Sequence, residues 1–351
     1  MIKKFSWFLM LLSTLLIVSA CGESAASKDE ASKLIVYTNQ VSGDREAVFK
    51  ELVEKQNFEF EVEFVQAGGG DMRDRLIAEK NKPLADVVLG GSPLEYLALV
   101  EKGILATHKP SWSSSVDPSL ASSEQFYWPW AIDTIHFAYN KNALGGANQP
   151  PIPKEWADLT APEYKDKFYL FGVAGTTGTV AFSSMLVDHQ DKNGELGVSD
   201  EGWKLIKGLY ENAVRPEPKD WQEALKSDLA GGTLWGGGML AAARDRDIPL
   251  AAMTPAAGTP FLPALIGIVD SKDEARIANA KEFVDWWGSK EVQVVWGEKT
   301  GQAPANVEAL NEIGGEVKNL LEQSKVQELD WDYIYKNIDS WREKILLEYA
   351  K

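Results

Sequence analysis

Leu34-Ile35-Val36-Tyr37 is a short unbroken apolar run, the pattern of a buried strand, and Asn39-Gln40-Val41-Ser42-Gly43-Asp44 behind it has turn and cap chemistry. A helix should follow. Val48, Phe49, Leu52 and Val53 recur at helical spacing, Glu51 and Glu54 fall outside that stripe, and Asp44 stands in the first turn, where the helix dipole favours an acid. Phe58, Phe60, Val62 and Phe64 then alternate with glutamates, the period-two signature of a half-buried strand. Gly68-Gly69-Gly70 opens a helix through Met72, Leu76 and Ile77, and Asp86-Val87-Val88-Leu89 makes a third strand ending in Gly90-Gly91-Ser92. Pro93 can start another helix at its first position. Strands alternating with helices imply parallel βαβ units in an α/β fold, whose ligand crevice lies beyond the carboxyl ends of the strands.

Residues 107–127 are irregular and rich in Ser and Pro, and Tyr127 to Tyr139 reads as extended chain crossing to a second unit. The Pro-rich stretch Asn148–Pro153 cannot be helical throughout. Beyond it, Phe168–Val173 reads as a strand, Gly175-Thr176-Thr177-Gly178 as a loop and Val180–Gln190 as the helix it opens. Two further units fall around Trp203–Tyr210 and Trp221–Leu229, the latter leading into Thr233-Leu234-Trp235. An apolar strand returns at Leu262–Val269, followed by a strongly periodic helix over Ala275–Trp287. No repeat of solenoid length is evident in the sequence.

The N-terminus changes the picture. Lys3 and Lys4, an apolar run from Phe5 to Val18 and Val18-Ser19-Ala20-Cys21 form a secretory signal, too short and wrongly flanked for a spanning helix. Its small residues end at Cys21, the only cysteine of 351 residues, which has no disulfide partner. That ending resembles the lipobox of bacterial lipoproteins, which implies cleavage after residue 20 and diacylation of Cys21. Residues 21–32 are too polar to pack and read as a lipidated flexible tether. Removing residues 1–20 deletes two lysines and no acid, taking the formal charge from −16 to −18. Such a chain is repelled by nucleic acid and by anionic headgroups, so membrane attachment falls to the lipid alone. The remaining length can build two lobes with separate cores.

Several stretches resemble a known family when taken in order: Leu34-Ile35-Val36-Tyr37-Thr38, Gly68-Gly69-Gly70-Asp71 with Arg75-Leu76-Ile77-Ala78-Glu79, Ala85-Asp86-Val87-Val88, Phe137-Ala138-Tyr139-Asn140, Trp156-Ala157-Asp158-Leu159 and Ala280-Lys281-Glu282-Phe283-Val284-Asp285-Trp286. The order is similar to that of the extracellular solute-binding proteins of ABC importers, in the cluster of ferric-iron, thiamine, polyamine, phosphonate and sugar-phosphate binders. The resemblance implies a type II, two-lobed periplasmic-binding-protein-like fold with crossing hinge strands. Lobe one would be 33–135 plus 265–310 and lobe two 136–264, with 311–351 as helices packing near lobe one. It implies a monomer on the extracytoplasmic face of the cell membrane, partnered by a small solute and an ABC permease and needing no cofactor. Two consecutive independent domains would need a mid-chain linker, and no low-complexity linker is visible.

Catalytic chemistry is hard to assemble from this sequence. His108, His136 and His189 lie far apart without the i,i+4 pairing of zinc hydrolases, and Gly91-Ser92-Pro93 lacks the second glycine of a nucleophile elbow. A secreted enzyme and a surface adhesin remain the alternatives of other classes. Binding is served better. In the family, ligands are held by turns at strand ends, here Thr38-Asn39 with Ser42, Gly91-Ser92, Thr176-Thr177 and Trp235, where helix-start N–H groups favour an anion. Trp128 and Trp130, before the crossing strand, suit pocket or core equally.

The family's iron binders carry paired adjacent tyrosines in lobe two. This chain has no Tyr-Tyr, and the region expected to hold it reads Trp235-Gly236-Gly237-Gly238-Met239, which disfavours iron. Asp133 in a closed cleft would need a cationic partner. Thr176 and Thr177 with Arg244 for an anionic group, and Asp133 with tryptophans for an amine, fit a small zwitterion such as an aminoalkylphosphonate. A cationic solute (thiamine or a polyamine) and a sugar phosphate stay open beside it.

Overall fold

The computed structural model describes residues 33–350. Cys21, the signal and the tether lie outside the described residues. The first sheet begins as the apolar pattern requires. Strand β1 (Lys33–Thr38) is followed by α1 (Asp44–Gln56), β2 (Glu61–Gln66), α2 (Gly69–Ala78), β3 (Val87–Leu89), α3 (Pro93–Glu101) and the short β4 (Leu105–Ala106). β1 pairs in parallel with β2 on one side and β3 on the other. Residues along β1 alternate between two cores: Leu34 and Val36 pack with Phe49, Phe283 and Trp287, while Tyr37 packs with Met72, Leu76 and Tyr96. Both faces are therefore covered by helices, which explains why the strand is apolar without a break.

β5 (Tyr127–Asn140) is the element that makes two lobes. Its first half, Tyr127–Thr134, pairs antiparallel with β9, and its second half, Ile135–Tyr139, pairs antiparallel with β7. The chain then builds lobe two from β6 (Phe168–Tyr169), α4 (Thr176–Val187), α5 (Asp200–Asn212), α6 (Trp221–Ser227), β7 (Gly231–Trp235), α7 (Gly236–Asp245) and β8 (Leu250–Ala252). β9 (Thr259–Val269) carries it back, reaching β3 through Val87↔Ile268. β5 and β9 are thus the two crossing strands. Lobe one is finished by α8 (Glu274–Trp287), α9 (Lys290–Thr300), β10 (Ala303–Pro304) and α10 (Val307–Ile313).

The strand expected over Phe168–Val173 pairs only at Phe168–Tyr169, the loop expected at Gly175–Gly178 is already helical from Thr176, and two further expectations differ from the structure. Phe58 and Phe60 precede β2 instead of lying in it. Their rings stack at 4.7 Å, and Phe58 meets Trp286 edge-on at 5.1 Å, so aromatic packing displaces the strand start to Glu61. The C-terminal elements, α11 (Gly315–Gln323), β11 (Val326–Gln327) and α12 (Trp331–Lys344), pack against lobe two as well as lobe one. Ile334, Ile338, Trp341 and Ile345 enter the lobe-two core with Val180, Ile206 and Trp203, and the Trp341 indole donates to the Leu196 carbonyl at 3.0 Å. On its other side α12 packs against α3 of lobe one, where the Tyr335 hydroxyl donates to Glu101 at 2.8 Å and Leu94 joins the same apolar cluster. No helix among the described residues is long and apolar enough to cross a membrane.

Candidate functional site

The carboxyl ends of β1 and β3 are tied together by one side chain. Asn39 Oδ1 accepts from the Gly91 N–H at 3.1 Å and from Gln40 Nε2 at 2.8 Å. Gly90 and Gly91 have φ of 104° and 76°, and a Cβ on Gly90 would stand 2.1 Å from Asn39 Oδ1, so glycine is required for that approach. Thr38 is fully buried and uses its Oγ1 to accept from the Gln40 N–H at 3.0 Å; it shapes the turn and does not line the cleft. Ser92 caps α3 in a reciprocal box with Glu95, which accepts from the Ser92 N–H at 2.7 Å.

Lobe two faces these turns with the starts of α4 and α7. Four helices begin at the cleft without a side-chain cap: α1 behind Gly43, α2 behind Gly68, α4 behind Gly175 and α7 behind Trp235. By contrast α5, α6, α8, α9, α10 and α12 are capped by Ser199, Asp220, Asp273, Ser289, Asn306 and Asp330. Uncapped N–H groups are left for another acceptor, although in α1 those of Arg45 and Glu46 already donate to the Ser42 and Gly43 carbonyls at 3.2 and 3.1 Å. One start has one: Asp133 Oδ1 accepts from the Gly237 N–H at 3.3 Å and from the Thr134 N–H at 2.9 Å. Asp133 sits on β5 beside the residue where pairing changes from one lobe's sheet to the other's. Burial pushes its carboxyl up to about 6, against the pull of those N–H groups and of Arg45.

A cavity of about 530 Å³ lies between the lobes. Asn39, Ser42 and Gly91 line it from lobe one, Asp133 from the crossing strand, and Thr176, Thr177, Trp235 and Arg244 from lobe two. These eight of the residues singled out in the sequence therefore share one space. A second chamber of about 440 Å³ also touches Asn39 and Thr176; Gly68, Ser92, Arg73 and Arg342 are among its walls. Arg342 reaches there from α12, donating to the Val173 carbonyl at 3.2 Å and to Thr179 Oγ1 at 3.0 Å.

Trp128 and Trp130, candidates for the pocket from the sequence, belong instead to the lobe-one core and line neither cavity. Trp130 meets Trp287 and Trp296 edge-on at 5.2 and 5.9 Å, because it points to the helix-covered face of the sheet and not to its carboxyl edge. Trp235 is the tryptophan of the cavity, held by Trp221 at 5.6 Å and Phe171 at 6.1 Å. Arg244 is two-thirds exposed and already paired with Asp245 at 2.7 Å. Sequence reasoning missed Gln40, Arg45, Lys299 and Gln302, which also line the cavity. Gln302 is brought there from 262 positions away by a 3.0 Å bond to Gln40, a proximity that no local pattern encodes. Arg45 had a signal, since it stands in the helix-opening turn already chosen for Ser42. No tyrosine lines either cavity.

Residues 82–337 match the family model of the bacterial extracellular solute-binding proteins. The chain belongs to that family. A relative 34% identical over 342 residues, spanning 97% of this chain and 93% of its own length, is "Probable ABC transporter periplasmic-binding protein y4fP" of Sinorhizobium fredii. A second, 27% identical over 155 residues (44% of this chain and 41% of the other), is "Putative 2-aminoethylphosphonate-binding periplasmic protein" of Salmonella typhimurium. Among solved structures, the apo ferric ion-binding protein A of Pasteurella haemolytica superposes with a TM-score of 0.75 at 15% identity, covering 91% of this chain and 99% of that one. This solute-binding protein therefore has the two-lobed type II fold, with its cavity where the lobes meet.

Proposed function

We propose that the protein is the solute-capturing lipoprotein of an ABC importer, held by acyl chains on Cys21 at the extracytoplasmic face of the cell membrane. It hands a small polar solute to a membrane permease and performs no chemistry of its own. The solute is a zwitterion of the organophosphonate kind. The observation that carries this reading is the interlobe cavity, in which the uncapped start of α4 lies in the same space as the carboxylate of Asp133 and the indole of Trp235. Helix-start N–H groups suit a phosphonate, and a carboxylate beside an aromatic face suits an ammonium. The relative named as an ABC transporter periplasmic-binding protein supports the importer role, and the relative named for 2-aminoethylphosphonate, matched over 44% of this chain, supports the phosphonate.

A thermal-shift screen tests it with 2-aminoethylphosphonate, fructose 6-phosphate, thiamine, spermidine and ferric citrate. A true ligand at 100 times its dissociation constant stabilises the fold by about 2.7 kcal/mol. The phosphonate should shift the melting temperature most, and a larger shift with fructose 6-phosphate, spermidine, thiamine or ferric citrate would replace it. For the anchor, Cys21→Ser should release the protein to the medium or leave the precursor unprocessed. Normal lipid labelling of that variant would sink the lipobox reading.

A further inference from the structure

We infer that Arg45 and Asp133 are the two charged poles of the solute site, held apart by the fold so that a solute with one acid group and one ammonium completes both. The inference rests on the zwitterion reading and names the residues that enforce it. Arg45 stands in the first turn of α1, on lobe one, and lines the cavity with Asp133. Its guanidinium has one side-chain hydrogen bond, 3.4 Å to Gln40 Oε1, and it forms no ion pair with any carboxylate whose side chain is described, the side chain of Asp44 lying outside that description. The other cations of the cavity differ. Arg244 is paired with Asp245 and Lys299 with Glu51. Asp133 likewise has only backbone N–H partners and no cation in contact.

Two opposite charges thus share one cavity, close enough to feel each other's field but unbonded. Both are drawn out of water: burial lowers the basicity of Arg45 and raises the carboxyl of Asp133. A buried charge without a partner is costly, so each pole favours a ligand group of the opposite sign. A lone anion would satisfy Arg45 but meet Asp133, and a lone amine would meet the reverse. A zwitterion satisfies both, with the acid group on the guanidinium fork and the ammonium on the carboxylate. Specificity then comes from the repulsive pole as much as from the attractive one.

Calorimetry with three probes tests this: 2-aminoethylphosphonate, ethylphosphonate, which lacks the ammonium, and ethanolamine, which lacks the acid. Arg45→Gln should weaken the zwitterion roughly 10- to 100-fold while the protein unfolds as the parent does, and Arg45→Lys should restore part of the loss. Asp133→Asn should weaken the zwitterion comparably yet bind ethylphosphonate at least as well as the parent. Unchanged affinity for the zwitterion in Arg45→Gln overturns the inference while leaving the phosphonate reading intact. Parent protein that binds none of the three overturns the phosphonate reading, and a ligand-free measurement then decides the poles. Carboxyl titration of Asp133 by NMR should move upward in Arg45→Gln, and no movement shows that the two groups do not face each other.

Discussion

At the scale of single residues, the cleft is shaped by side chains that bond to backbone. Asn39 is the clearest case, because its Oδ1 fixes the Gly91 N–H and so joins two loops from different strands. Gly90 makes that possible by leaving no Cβ where Asn39 stands. Gly90→Ala should therefore displace Asn39, strain a φ of 104° and cost about 1–3 kcal/mol of stability together with measurable affinity. Urea unfolding and calorimetry check both, and an alanine variant that binds like the parent would show that Asn39 does not shape the pocket. The glycine pair was visible in the sequence as a strand-ending turn, and so were Thr176, Thr177 and Trp235. The tryptophans of β5 were not separable, since only the strand's facing decides between core and cleft, and Trp130 faces Trp287.

At the scale of elements, periodicity found what is local. β1, α1, α2, β3, β5, α5, β9 and α8 stand where apolar spacing put them, because each buries one stripe or face that the pattern displays. What failed was non-local. Phe58 and Phe60 alternate like a strand but stack on each other, and Phe58 answers to Trp286 and Phe283 on a helix more than two hundred residues later. That α12 packs on lobe two as well as on α3 of lobe one depends on Ile334, Ile338 and Trp341 entering the lobe-two core, which helical spacing alone does not specify. A second long-range tie joins α8 to β3: Arg276 pairs with the buried Asp86 at 2.7 Å and donates to the carbonyls of Pro83, Leu84 and Ala85. Asp86 also accepts from the Ile35 N–H at 2.7 Å, although burial still holds its carboxyl above the ordinary range. Arg276→Ala leaves that carboxylate unpaired inside lobe one and should cost roughly 3–5 kcal/mol. Urea unfolding at neutral pH measures it, and a loss below about 1 kcal/mol would mean that water replaces the guanidinium.

At the scale of the whole molecule, the two lobes meet at a strand that belongs to both sheets, and a carboxylate sits at that junction. Asp133 is placed for binding at a cost to stability, and pH separates the two. Its folded pKa, about 6, lies above the ordinary value near 3.8. Between those values the native protein keeps a proton that the unfolded chain has released, so stability from this group is full below about pH 4 and is lost as pH rises through about 6. The groups facing the carboxylate are Arg45 from α1 and the N–H groups of Gly236, Gly237 and Thr134, none of which changes charge in that interval. Asp133→Asn removes the penalty. The ligand-free variant should be more stable than the parent by about 1–3 kcal/mol at pH 7, with the difference vanishing near pH 4. The same substitution should weaken a zwitterion, and the parent's affinity should fall as pH drops below about 6, where the carboxylate that receives the ammonium becomes neutral. Urea unfolding at both pH values and calorimetry across the interval give the two readouts. A variant no more stable than the parent at pH 7 would show that Asp133 is not strained at the junction, whatever its part in binding.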